Sequence, residues 1–125
     1  MTTAQLTVVS AGLFFVLIFL SGFWLSRHKR PFNGAVLTIH KLIALAAAIL
    51  LVVRVYQANR VAALGMTELV AAAIAGLLFL DTGISGGLLS TDKPMPAAIR
   101  WMHWVAPFLT VLCSAVTLYL LASGK

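Results

Sequence analysis

Four blocks of apolar residues, each long enough to cross a lipid bilayer, are the feature that most constrains the fold of this 125-residue sequence. At about 1.5 Å of rise per residue, a helix built from any of these blocks would span a hydrocarbon core of roughly 30 Å. The pattern therefore predicts one all-α integral membrane domain over residues 1–125. Its spans fall at about residues 6–25, 35–56, 69–89 and 97–122.

The composition excludes most classes of soluble protein. Hydrophobic residues make up 62% of the chain and charged residues only 10%, and the mean hydropathy is +1.04. A chain this short and apolar leaves no material for a soluble catalytic module, a nucleotide-binding domain or a sheet. In a membrane protein, the net charge of +6 is more typical of loop orientation and anionic headgroups than of nucleic-acid binding. We therefore expect the lipid bilayer, and no nucleic acid, as a partner.

The connections between the four blocks are short, so consecutive helices must run antiparallel as an up-and-down four-helix bundle. Six of the nine basic residues then fall at one end of the bundle, the basic end: Arg27, Lys29, Arg30, Lys41, Lys93 and Arg100. By the positive-inside rule the basic end faces the cytoplasm, and both termini lie on the non-cytoplasmic side. We expect the chain in a bacterial inner membrane.

The third block is the least regular of the four. Its second half carries polar residues and glycines, namely Asp81, Thr82, Gly83, Ser85, Gly86 and Gly87. Two readings stay open, because the helix can either end near Leu80 and continue as a loop packed inside the protein or run on to the end of the block. No internal repeat stands out.

Two histidines lie at matched depths in the second and fourth blocks. His40 follows the helix-capping residue Asn33 by seven residues, and His103 follows the helix-starting residue Pro96 by the same number. Both helices run away from the basic end, so both imidazoles lie roughly 10 Å into the bundle. The second and fourth helices of such a bundle are diagonal partners, which allows the two rings to face each other across the core.

Two imidazoles facing each other suit a metal held from both sides, and a haem iron is the common case. Glycines on the first and third spans lie near the same depth and leave room for the edge of a flat ring: Gly22, Gly83, Gly86 and Gly87. Lys41 and Arg100 at the basic end are suited to pair with the propionates. These features predict a haem site with His40 and His103 as metal ligands and no catalytic residue.

Other interpretations of the same residues stay open. A histidine in a membrane helix can hydrogen-bond a neighbouring helix, and small residues commonly serve close helix packing in lipid. A bare zinc or copper site would lack ligands unless Asp81 supplied a third. Ionisable residues in spans are nevertheless costly and usually functional, which favours the cofactor.

The segments Ile39-His40-Lys41 and Trp101-Met102-His103-Trp104, with the four spans, resemble the four-helix transmembrane b-type cytochromes. That group includes the amino-terminal bundle of respiratory cytochrome b and the small prokaryotic cytochrome b family. The resemblance implies that His40 and His103 are the axial ligands of one low-spin haem b. Dihaem members carry a second histidine further along each helix, near Arg54 and Thr117 in this chain. Neither residue can replace a histidine, so the resemblance implies a single haem near the cytoplasmic side.

One haem does not form a complete route for electrons across the membrane. We therefore expect a quinone, a redox partner protein or a second copy in a homodimer to complete electron transfer. Arg54 and Glu68 near the opposite surface are expected to pair across the connection at residues 57–67. Alternatively, Arg54, Tyr56, Glu68 and Thr117 could bound a polar pocket for a quinone or a small substrate. Asp81 is expected to pair with Lys41 or Arg100 or to accept a proton. Two further function classes stay open, a haem-based sensor or haem-handling module and a haem-free scaffold or small transporter. Whether the chain is an enzyme is left open.

Overall fold

The computed structural model describes residues 2–28, 33–91 and 93–123. These residues form four α-helices, α1 (Thr3–Arg27), α2 (Gly34–Val61), α3 (Met66–Leu89) and α4 (Ala97–Ser123). The expected all-α four-helix architecture is confirmed. Each of the four spans predicted from the sequence lies within one of these helices.

Polar side chains mark where the first two helices begin. The Thr2 hydroxyl accepts a hydrogen bond from the Gln5 amide while the Gln5 side chain accepts one from the Thr2 amide, which forms a capping box. The side chain of Asn33 accepts from the amides of Ala35 and Val36 at the start of α2. These bonds satisfy amides that have no partner within the helix.

The third helix is continuous through its polar and glycine-rich second half and ends at Leu89. The alternative in which it stops near Leu80 is therefore wrong. The hydroxyl of Thr82 donates to the Leu78 carbonyl, and that of Ser85 donates to the Thr82 carbonyl. An unbroken helix satisfies its own backbone groups, which favours helix over loop wherever water is excluded.

The exterior of the bundle is apolar, and its interior is small and hydroxylated. Leu77 and Phe108 are 66% and 64% exposed, whereas Ala75 and Thr117 are fully buried. Among the described residues, all four helices are long and apolar enough to cross a membrane. Small and hydroxyl-bearing residues inside and large apolar residues outside are consistent with a bundle in contact with lipid.

The helices pack most closely in sequential pairs, α1 with α2 in an amino-terminal hairpin and α3 with α4 in a carboxy-terminal hairpin. Fewer contacts join the two hairpins, and aromatic rings make some of them. Phe15 of α1 stacks on Phe79 of α3 with ring centroids 6.0 Å apart, and Phe19 contacts Phe108 of α4 at 5.1 Å. The candidate site lies between the hairpins.

Candidate functional site: a pair of facing histidines

The structure brings His40 of α2 and His103 of α4 together between the two hairpins. Their ring centroids are 6.5 Å apart and their planes meet at 76°. Both side chains are partly buried within helices of membrane-spanning length. We call these two residues the histidine pair.

The ring of His40 is held by α1, its partner in the amino-terminal hairpin. The Ser21 hydroxyl lies 2.8 Å from Nδ1 of the ring. Gly22 lets the ring pack on the backbone of α1, because a Cβ at this position would lie 3.0 Å from the Cε1 atom of His40. The amino-terminal hairpin therefore fixes both the position and the hydrogen bonding of the imidazole.

The ring of His103 is held by α3 in the same way. Its Nδ1 lies 3.1 Å from the Ser85 hydroxyl and 3.2 Å from the Thr82 carbonyl oxygen. A Cβ on Gly86 would lie 2.7 Å from Cε1 of His103, so even alanine would force the ring or the helix to move. The carboxy-terminal hairpin thus repeats the arrangement of the amino-terminal one, with the same residue types in the same roles.

The bond to Thr82 determines which nitrogen of His103 carries the hydrogen. A carbonyl oxygen only accepts, so His103 must donate to Thr82 from Nδ1. In a neutral His103 ring the unprotonated nitrogen is then Nε2, the tautomer in which a histidine binds a metal while its other nitrogen is held by a partner. The Ser21 hydroxyl lies within hydrogen-bonding distance of the Leu17 and Ile18 carbonyls and of Nδ1 of His40.

The spacing of the histidine pair fits one metal between two imidazoles. With metal–nitrogen bonds of about 2 Å, two rings bound on opposite sides of one ion have centroids about 6.4 Å apart. The observed distance between the centroids is 6.5 Å. A bare ion would need more ligands, and the described residues contain no group of three His, Cys, Asp or Glu side chains able to hold one. Asp81 therefore does not complete a zinc or copper site.

The four glycines predicted to line a haem slot divide into two kinds. Gly22 and Gly86 contact the histidine rings, whereas a Cβ at Gly83 or Gly87 would meet nothing within 4 Å. Gly83 and Gly87 are exposed and leave open space beside the carboxy-terminal hairpin. Their role toward a cofactor stays a prediction.

The charged residues predicted for this region lie at the basic end. The Nζ atom of Lys41 donates to the Ser90 hydroxyl at 3.1 Å, rather than pairing with Asp81 in this structure, and Arg100 is exposed. Both cations are therefore at the surface near the starts of α2 and α4. Their pairing with propionates stays a prediction.

The residues of the predicted polar pocket make local contacts. Arg54 donates to the Gln57 side chain, and the Thr117 hydroxyl donates to the Cys113 carbonyl of its own helix. Thr117 is fully buried, and Tyr56 accepts a bond from Arg60 of its own helix. Tyr56 also lines an apolar groove between α2 and α3 at this end of the bundle.

The sequence contains an internal repeat, and this repeat includes the serines and glycines that hold the two histidine rings. Eight of the sixteen residues 11–26 recur 64 positions later, in residues 75–90, and the Ser-Gly pairs 21–22 and 85–86 are among them. His40 and Tyr56 recur 63 positions later as His103 and Tyr119. The expectation that no repeat is present is therefore wrong.

From the repeat we infer an approximate two-fold axis, parallel to the helices, that relates the two hairpins. Equivalent residues touch each other only near such an axis, and two pairs do so, His40 with His103 and Phe15 with Phe79. Parallel repeats of this kind are known in membrane proteins that bind a ligand at the repeat interface. Each hairpin therefore contributes an equivalent residue to the histidine pair.

No protein-family model, curated protein or solved structure matches this chain.

Proposed function

We propose that this chain is a membrane b-type cytochrome that binds one haem b, with His40 and His103 as the axial ligands. The observation that carries the proposal is the facing of two imidazoles at 6.5 Å, each with Nδ1 engaged by its own hairpin. Two equivalent ligands on a two-fold axis suit an approximately symmetric planar group better than an ion that requires three or four different ligands.

The residues around the pair have separate tasks in this proposal. Ser21 and Ser85 would hold the rings through Nδ1 and leave Nε2 for the metal, and Gly22 and Gly86 allow each ring to lie against the neighbouring helix. The space beside Gly83 and Gly87 would take the edge of the macrocycle, and Lys41 and Arg100 would pair with the propionates. When bound, the haem supplies a reversible one-electron reduction.

Electron transfer is favoured over gas sensing by the way the rings are held. A sensor must release one axial ligand so that a gas can bind, whereas each imidazole here is fixed by hydrogen bonds and by contact with a glycine backbone. A single haem near the cytoplasmic face of a bacterial inner membrane then needs a partner. We propose a quinone, a redox protein or a second copy of the chain in that role.

The experiment is an absorption spectrum of protein purified from haem-replete cells. We expect the reduced-minus-oxidised spectrum of a six-coordinate low-spin haem, and its loss in both His40→Ala and His103→Ala. His28→Ala is the matched control, because His28 is exposed and stacks on Trp24 outside the pair. Colourless wild-type protein, or an unchanged spectrum in either ligand variant, would refute the proposal.

A further inference from the structure

A groove with a volume of about 630 Å³ separates α2 from α3 in the half of the bundle away from the histidine pair. Small residues on both helices leave this space, among them Ala48 of α2 and Ala72 and Gly76 of α3. The volume falls within the usual range for sites that bind small molecules. The groove is open at the outside of the bundle, where lipid chains would surround it.

The groove has the length of one membrane leaflet. Along α2 its lining extends from Ala48 to Asn59, and along α3 from Leu69 to Leu80. Each stretch advances eleven residues, or about 16 Å at 1.5 Å per residue. Half of a hydrocarbon core of roughly 30 Å is about 15 Å. An acyl chain of a single leaflet therefore fits the groove from end to end.

Polar groups occur at the outer end of the groove and not along its length. Tyr56 and Asn59 are the polar residues of its lining, and the Arg60 guanidinium donates to the Tyr56 hydroxyl at 3.1 Å. Arg60 lies 26 residues beyond Gly34, or about 39 Å along the axis of α2. That distance approaches the roughly 40–45 Å thickness of a bilayer with its headgroups. The arginine is therefore at headgroup depth, and its side chain is exposed.

We propose that the α2–α3 groove binds one anionic phospholipid of this leaflet, with an acyl chain in the groove and the headgroup phosphate on Arg60. An arginine fork matches phosphate oxygens in charge and geometry. A cation at the mouth of an apolar groove favours an anionic amphiphile over a neutral one such as a quinone. This site is separate from the histidine pair and does not depend on haem.

Native mass spectrometry of the full-length protein in detergent micelles tests the site. Phosphatidylglycerol and phosphatidylcholine with identical acyl chains are added in equal amounts, and the lipid that stays bound is counted. We expect one phosphatidylglycerol to be retained in preference to phosphatidylcholine. Arg60→Gln should lower its retention about fivefold, from the usual strength of one arginine at an anionic membrane surface. Arg60→Lys should restore part of the preference.

Further variants distinguish the contribution of the shape of the groove from that of the charge of Arg60. Gly76→Leu should fill the groove and lower the retention of both lipids, and Ala72→Leu serves the same purpose if the first variant fails to fold. Arg27→Gln, which removes an exposed cation at the basic end, should leave the retention of both lipids unchanged. Equal retention of both lipids, preferential retention of an added quinone, or no effect of Arg60→Gln would overturn the proposal. Haem content, read from the visible spectrum of the same samples, tests the proposed function separately.

Discussion

The amino-terminal and carboxy-terminal hairpins hold their histidines with the same chemistry while differing in much of what surrounds them. In each, a serine hydroxyl contacts Nδ1 and a glycine of the same helix lies against the ring. Where α1 has Phe19 and Phe23, however, α3 has Gly83 and Gly87. The residues that contact the imidazoles are of the same type in both hairpins, whereas the residues next to them in sequence differ.

The two-fold symmetry holds at the histidine rings and is lost in the residues beside them. Equivalence at the rings would offer a cofactor held on the axis the same ligand on both of its faces. The large side chains of Phe19 and Phe23 in α1 stand where α3 has only Gly83 and Gly87. This difference breaks the symmetry beside the histidine pair. In the proposed haem complex, the open space for the cofactor would lie beside Gly83 and Gly87, where an added Cβ would meet nothing within 4 Å.

Removing either histidine of the pair should reduce haem binding more than any other change. His40→Ala and His103→Ala should each abolish low-spin haem to the same extent, because each hairpin contributes half of one site. The measurement is haem bound per chain after purification, with His28→Ala as the control. If one variant kept a low-spin haem, the hairpins would not be equivalent.

The glycines under the rings should show a graded effect. Gly86→Ala should destabilise the protein by about 1–3 kcal/mol, since its Cβ would lie 2.7 Å from the His103 ring. Gly22→Ala should cost less, because the corresponding distance is 3.0 Å, and Gly12→Ala should be nearly neutral because nothing lies within 4 Å. Unfolding in mixed micelles, followed by circular dichroism on haem-free protein, measures the order. A reversed order would contradict the ring contacts.

Removing the serine hydroxyls should weaken the site without destroying it. Ser21→Ala should lower haem affinity about tenfold, which is the lower end of the effect of losing a partner of a metal-bound histidine. Ser85→Ala should have a smaller effect, because the Thr82 carbonyl still accepts from Nδ1 of His103. Haem titration of the apoprotein compares them, and Ser26→Ala, whose hydroxyl donates to the Phe23 carbonyl in its own helix, is the control. Equal affinities in all three variants would remove the serines from the site.

The smallest effect concerns gas binding. Because both rings are held by hydrogen bonds and by glycine contacts, the reduced protein should not bind carbon monoxide on mixing. Gly86→Ala, which displaces the His103 ring, should bind some. The Soret band before and after addition of the gas reports the difference. Rapid binding to the wild-type protein would favour the sensor over the carrier.

The sequence was sufficient to predict the helices and the meeting of the two histidines. Length and apolarity determine the spans, and the equal distance of His40 and His103 from the starts of their helices determines their depth. The sequence leaves the end of α3 undetermined, because glycine and hydroxyl-bearing residues are compatible with both helix and loop. Its continuity follows from contacts along the helix that the sequence does not specify.

The partners of the rings were harder to predict. A serine in a membrane helix commonly bonds to a carbonyl of its own helix, and Ser21 does this while also reaching His40. Which glycine meets a ring depends on the rotation of each helix about its axis, so Gly22 and Gly86 could not be separated from Gly83 and Gly87 by depth alone. The repeat at 64 residues distinguishes them, because Gly22 and Gly86 are equivalent and the other two have no glycine counterpart.

The most direct test of a shared two-histidine site is electron paramagnetic resonance of the oxidised, haem-loaded protein with the haem content measured. Two axial imidazoles whose planes are far from parallel, as the 76° angle of the histidine pair indicates, give a highly anisotropic low-spin ferric signal. We expect that signal, with one haem per chain. A high-spin signal, a haem content of two per chain, or no bound haem would contradict the assignment of His40 and His103 as joint ligands.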